Sequence, residues 1–210
     1  MKIALINGSP KMHDSASGTL LEELKLHIPG KAQIVEAAMH TAVVSEDAWE
    51  TCKTADAWVF AYPLYVDGIP GHLLSCLMQL ESMHPQEREI RVYGIVNCGF
   101  YEGIQAEPAL KLLQNWCAKC GFLYRGGIGV GGGGGLAQMP KVQGGHGPRA
   151  PIEKALQVLA QRILQQESNE NQYVSVAFPR FLYRMAAQMG WRRMIRANGG
   201  KVGDLAKKPD

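Results

Sequence analysis

Lys2-Ile3-Ala4-Leu5-Ile6-Asn7-Gly8-Ser9-Pro10-Lys11-Met12-His13-Asp14-Ser15-Ala16-Ser17-Gly18 is the stretch on which the fold turns. Its first third is a short apolar run that stops at Gly-Ser-Pro, and Leu20, Leu21, Leu24 and Ile28 then recur at helical spacing. A strand therefore feeds a helix through a loop carrying hydroxyls at Ser9, Ser15 and Ser17. The first N–H groups of a helix lack intrahelical partners and its dipole favours negative charge, so this loop suits one phosphate monoester. A plain helix cap at Asp14 or Ser15, with Gly-Ser-Pro as an ordinary turn, accounts for the same residues. The position straight after the first strand favours the anion. A nucleoside triphosphate site would need GxxxxGK[ST], which the loop does not contain.

Outward from this stretch the alternation repeats. Segments 32–37, 56–62, 91–97 and 121–130 read as strands, and 46–54, 71–83, 104–120 and 152–166 as helices. Strands that are continuously apolar, each followed by a helix, imply a parallel sheet covered on both faces. Ligands of such sheets sit outside the carboxyl ends of the strands, which points to the loops 8–17, 62–71, 97–103 and 126–147.

At 210 residues, 46% apolar and 20% charged, the composition is that of a globular chain. It accommodates one domain, set at 1–170, with a basic amphipathic extension at 171–210. Residues 173–210 carry eight Lys/Arg against two acids, and the rest fourteen against seventeen. A mildly acidic body thus bears a basic tail. In that tail Phe181, Leu182, Met185, Met189 and Trp191 alternate with arginines. Docking on its own domain or on a second subunit is its expected role, with a membrane surface the lesser reading and nucleic acid lesser still. The apolar stretch 57–66 is broken by Pro63 and too short to span a bilayer. No signal peptide is expected, and an odd number of scattered cysteines, five, suits a reducing compartment. A cytoplasmic location is the expectation.

Gly8-Ser9-Pro10-Lys11 with Ser15-Ala16-Ser17, then Tyr62-Pro63-Leu64-Tyr65-Val66-Asp67-Gly68-Ile69-Pro70, then Asn97-Cys98-Gly99-Phe100-Tyr101-Glu102 resemble, in order, the loops of the flavodoxin-like NAD(P)H-dependent FMN reductase family. The resemblance runs from residue 1 to about 166, and its second loop is the most specific. It implies an α/β fold, a flavodoxin-like doubly wound five-stranded parallel sheet in order 2-1-3-4-5, with a C-terminal helical extension. It also implies an FMN cofactor. Ser9, Lys11, Ser15, Ala16 and Ser17 would lie at the FMN phosphate, Pro63, Leu64, Tyr65 and Val66 would flank the ring, and Asn97, Cys98, Gly99 and Phe100 would meet its polar edge. NADPH or NADH would be co-substrate and a flavin, quinone or similar small molecule the electron acceptor, in a homodimer or homotetramer.

The physics of the loops agrees with that reading. A flat ring needs apolar or aromatic surfaces such as Leu64, Tyr65, Phe100 and Tyr101, and backbone amides near Gly99 facing it would favour a reduced anionic flavin. Core or rim packing accounts equally for any one of these aromatics taken alone. No side chain is an evident acid or base, so no catalytic residue is assigned and the chemistry is placed at the flavin. The alternative is a flavodoxin-type electron carrier without nicotinamide activity. Such carriers tend to be strongly acidic, whereas the formal charge here is +3. A third reading, a binding protein that has lost the cofactor, is opposed by the intact serines.

Other motifs carry less. Cys117 and Cys120 form a CxxC within a helix, and Cys52, Cys76 and Cys98 stand apart, which does not suit an iron–sulfur cluster. Gly129–Gly134 fits GxGxxG, with Glu153 at the spacing of a ribose ligand, but a run of five glycines satisfies that pattern by chance. The segment reads as a flexible loop beside the cofactor, followed by His146 and Arg149. Arg149 is either a partner for nicotinamide phosphates or a solvated loop charge. His13, His72 and His84 show no ligand spacing, and no metal is proposed.

Overall fold

The computed structural model describes residues 1–83, 89–138 and 146–207. The chain divides into two compact units, Met1–Val176 and Ala177–Asp210. In the first, β1 (Lys2–Asn7), β2 (Gln33–Ala38), β3 (Ala57–Pro63), β4 (Arg91–Asn97), β5 (Leu123–Val130) and β6 (Gln172–Val174) form one parallel sheet in the order β2-β1-β3-β4-β5-β6. The intervening helices are α1 (Ala16–Leu26), α2 (Glu46–Lys53), α3 (Gly71–Met83), α4 (Glu107–Cys120) and α5 (Ala150–Gln165).

The five expected strands stand in the expected order, and β6 is an addition. Its three residues offer no apolar run to read, yet they continue the sheet beside Ile128–Val130. The first unit extends to Val176. Within the expected helix 104–120, the first turn is a 3-10 turn at Gly103–Ala106, and Pro108 lies in the first turn of the α-helix proper. Pro is at home there because its missing N–H would have had no partner.

Two faces of the sheet are covered by different helices. Ala4 and Ile6 of β1 and Trp58, Phe60 and Tyr62 of β3 share a core with Leu73, Leu77 and Leu80 of α3 and Leu110 and Leu113 of α4. Ile3, Leu5 and Val59 alternate with them and so point to the opposite face, where α1 packs against α5. On the α4 side, the Trp58 and Trp116 rings lie 5.1 and 5.0 Å from the Phe122 ring. Each indole N–H finds a carbonyl: Trp58 donates to Cys52 O (2.9 Å) and Trp116 to Leu77 O (3.1 Å). Burial of each such aromatic contributes about 1.5–3 kcal/mol, without the penalty of an unpaired donor.

Helix ends follow from local chemistry. Ser15 and Ser45 cap α1 and α2 by accepting the N–H groups of Gly18 and Ala48. Gly121, at φ 75°, closes α4 in the left-handed conformation that glycine adopts without strain.

The second unit holds α6 (Arg180–Ala197) and a 3-10 turn at Val202–Ala206, in which the Asp204 carboxylate accepts the Lys201 N–H at 2.7 Å. No residue of α6 is buried. Among the described residues no helix is long and apolar enough to cross a membrane.

Gly103 is tightly packed against the sheet's outer edge. A Cβ there would stand 2.2 Å from Val174 O and 2.5 Å from Gly129 O, both backbone atoms. Gly103→Ala is expected to destabilise the first unit by about 1–3 kcal/mol, measured as a lowered urea midpoint.

Candidate functional site

All six strands run parallel, so the loops after β1, β3, β4 and β5 gather on one edge. The loop after β1 is organised by Asn7. Its Oδ1 accepts the Ser9 N–H at 3.1 Å, and its Nδ2 donates to Ser15 Oγ at 3.4 Å. Ser15 Oγ also accepts the Gly18 N–H (3.0 Å), and Ser9 Oγ accepts the Lys11 N–H (3.2 Å). Both hydroxyls therefore act as acceptors, and among the described residues neither O–H proton has an acceptor of its own. Ser17 differs, because its hydroxyl donates to Asn97 Oδ1 at 2.8 Å. That buried bond ties the β1 loop to the end of β4.

The carbonyls of the same loop are held from outside. His40 Nδ1 lies 2.6 Å from Ser9 O and His72 Nε2 lies 3.2 Å from Gly8 O. A carbonyl can only accept, so these two nitrogens are the protonated ones. Gly8 is closely packed: a Cβ would meet Leu73 Cδ2 at 2.6 Å and Tyr62 Cβ at 3.3 Å, so the Leu73 side chain would have to shift to admit one.

After β3, the Leu64 N–H donates to Asn97 O (2.8 Å), and Tyr65 and Gly68 exchange backbone bonds of 3.1 and 3.0 Å. The residues between them, Val66 (φ 47°) and Asp67 (φ 58°), are both left-handed, as a two-residue reverse turn requires. For β-branched Val66 this conformation costs about 1–2 kcal/mol. After β4, the chain is laced to the glycine-rich segment: Gly132 donates to Phe100 O (2.6 Å) and Gly133 to Cys98 O (2.7 Å).

Between these loops lies a cleft of about 250 Å³. Ser9, Lys11, Asp14, Ser15, Ala16 and Ser17, from the β1 loop and the start of α1, line it together with Pro63, Leu64, Tyr65, Asn97, Gly99 and Gly133 from the other loops. A Cβ built at Gly99 meets nothing within 4 Å, so the wall there is low and open. Of the residues expected from sequence, Val66, Cys98 and Phe100 do not line this cleft. Val66 is fully exposed at the tip of its turn, and Phe100 is exposed. Cys98 is buried, with its thiol toward the Phe100 and Glu102 carbonyls at 3.8 and 3.6 Å. Burial pushes that thiol above its ordinary pKa.

Asn7, His40, Asp14 and Gly133 were absent from the sequence-level site. Asn7 directly precedes Gly-Ser-Pro and was legible there as a strand end. His40 had no signal, since its role depends on β2 pairing with β1, where the Met39 N–H donates to Asn7 O at 2.8 Å.

Other sequence readings are corrected. Arg149 is buried and ion-paired with Glu23 of α1, so it is neither a solvated loop charge nor a partner for nicotinamide phosphates. Its distance in sequence from Glu23 hid the pair. The glycine run opens no α-helix, which removes the GxGxxG reading: Gly133–Gln138 is a 3-10 turn. Residues 139–145 of that loop, and His84, lie outside the described residues. All five cysteines are free. Desolvation raises Cys117 strongly and pushes Cys120 up to about 11, so neither is poised as a thiolate nucleophile at neutral pH.

No family model matches the chain, and no curated protein does. Solved structures do. A flavodoxin from Streptococcus pneumoniae TIGR4 aligns at TM-score 0.55 and 9% identity over 79% of this chain and 99% of its own. An NAD(P)H:quinone oxidoreductase from Methanothermobacter marburgensis aligns at 0.53 and 13% over 78% and 96%. The rubredoxin oxygen:oxidoreductase of Desulfovibrio gigas gives 0.53 and 17% over 79% of this chain and 35% of that one. At such identities the likeness is one of fold, and the fold is flavodoxin-like.

Two outcomes follow from the site's geometry. Ser17→Ala leaves Asn97 Oδ1 buried without its donor and is expected to cost about 1–3 kcal/mol in urea unfolding. Cys98, with its raised pKa, is expected to alkylate with iodoacetamide at least about tenfold more slowly than a free thiol at neutral pH, and faster as pH rises. Mass mapping of the labelled peptide measures this.

Proposed function

We propose that this chain belongs to the flavodoxin-like NAD(P)H-dependent FMN reductases and that the cleft holds FMN by its phosphate. The reading rests on one observation: among the described residues the O–H protons of Ser9 and Ser15 have no acceptor, in the loop that leads into the N-terminus of α1. Two hydroxyl donors, helix N–H groups and Lys11 form a donor set for a dianion, and no described carboxylate but Asp14 lines the cleft. A phosphate monoester fits that chemistry. From there the cleft continues to Pro63, Leu64 and Tyr65, whose apolar surfaces suit a planar ring, and to the open wall at Gly99.

When bound, FMN supplies hydride and electron transfer between a nicotinamide and a small acceptor. The protein's part is to position and exclude. Asn7 fixes Ser9 and Ser15 relative to each other, His40 and His72 hold the loop carbonyls away from the anion, and the Ser17–Asn97 bond sets the spacing between phosphate end and ring end. The low wall beside Gly99 leaves room for a second substrate to approach. No residue of the cleft is required as an acid or base. A flavin, a quinone or a similar small molecule is the acceptor class, in a cytoplasmic homo-oligomer.

Ser9→Ala and Ser15→Ala are each expected to weaken FMN binding by about 10- to 100-fold, read by quenching of flavin fluorescence. Mixing the FMN-loaded protein with NADPH or NADH in a stopped-flow instrument is expected to bleach the flavin rapidly. Tight FMN binding without bleaching would identify an electron carrier instead, and no FMN binding at all would remove both readings.

A further inference from the structure

The second unit carries a surface that the cleft does not use. Phe181, Met185 and Met189 follow one another at four-residue spacing, so they form one stripe along about two turns of α6, and they are 65%, 56% and 66% exposed. Trp191 and Met194 are also more than half exposed. The same helix bears Arg180, Arg184, Arg192, Arg193 and Arg196 and no carboxylate. Lys201 extends the basic run beyond it, and Lys207 pairs with Asp204 at 2.8 Å. Arg184, Arg192, Arg193 and Arg196 form no ion pair with a described residue.

We propose that α6 is a peripheral membrane-binding helix that lies on anionic lipid, with the Phe181–Met185–Met189 stripe in the acyl boundary and the guanidinium groups among the headgroups. Charge complementarity selects this occupant. A second copy offers a body with only a three-charge acidic excess among 172 residues, a weak and screened partner for five guanidinium groups. An anionic leaflet presents a dense sheet of negative charge, and each basic residue near it adds to the attraction. Nucleic acid would satisfy the arginines but leave the Phe and Met stripe in water. Trp, Tyr and Phe beside Arg are the residue types of an interfacial helix, whose long side chains reach the headgroups while their stems cover apolar surface. The sequence alone ranks this reading below docking on protein. Within the second unit no residue of α6 is buried, and no carboxylate of the helix offsets its arginines.

The inference is independent of the flavin reading. The test is sedimentation of the full chain with vesicles of phosphatidylglycerol and phosphatidylcholine, or of phosphatidylcholine alone, at low and high salt. Binding to the anionic vesicles is expected to exceed binding to the neutral ones by at least about tenfold, and to fall by a similar factor in high salt. Phe181→Ser/Met185→Ser/Met189→Ser and, separately, Arg192→Gln/Arg193→Gln/Arg196→Gln are each expected to abolish sedimentation while the circular dichroism melt of the first unit is unchanged. Equal recovery with both vesicle types, or none, overturns the proposal. So does wild-type self-association in light scattering that the Phe/Met variant abolishes while no vesicle binding is seen.

Discussion

A serine hydroxyl has one proton and two acceptor sites, and how Ser15 uses them determines what the cleft is. Its oxygen takes the Gly18 N–H at the start of α1 and the Asn7 amide, which leaves the proton directed at neither. Ser9 is in the same condition through Lys11. Two donors held in place by acceptor bonds, beside the first N–H groups of a helix, have the chemistry to take an anion, on which the proposed function rests. The rest of the unit keeps that geometry in register. The β1–β3 and β3–β4 pairings fix where the loops start, and the buried Ser17–Asn97 bond fixes how far apart their ends lie.

The surrounding core explains why so small an arrangement persists. Trp58, Phe60 and Tyr62 run along one face of β3 up to the Pro63 turn, packed in one core with α3 and α4, with the polar atoms of Trp58 and Tyr62 paired. The Tyr62 hydroxyl donates to Ala109 O at 3.0 Å, and burial holds its pKa well above the ordinary value. A rigid strand thus delivers a strained, solvent-facing turn at Val66–Asp67 to the edge of the cleft. Strain is tolerated where the flanking backbone overdetermines it, here by the reciprocal Tyr65–Gly68 bonds.

Most of the fold was legible because its strands are buried on both faces and therefore read as unbroken apolar runs: β3 and β4 are recognisable from 56–62 and 91–97 alone. β6 was not, since a three-residue, half-exposed edge strand is defined by its neighbour and not by its own pattern. The same distinction holds in the site. Ser9 and Ser15 were visible because chain order puts them after the first strand. His40, the Arg149–Glu23 pair and the inward turn of Cys98 depend on which strands and helices become neighbours, and nothing local announces them.

Calorimetric titration with FMN and with riboflavin tests the central claim most directly, because the two ligands differ only in the phosphate. The account requires FMN to bind at least about a hundredfold more tightly, the gap two charge-assisted hydroxyl bonds supply, and to lose most of that margin in Ser9→Ala/Ser15→Ala. Equal affinity for the two ligands, or a margin indifferent to both serines, would contradict it.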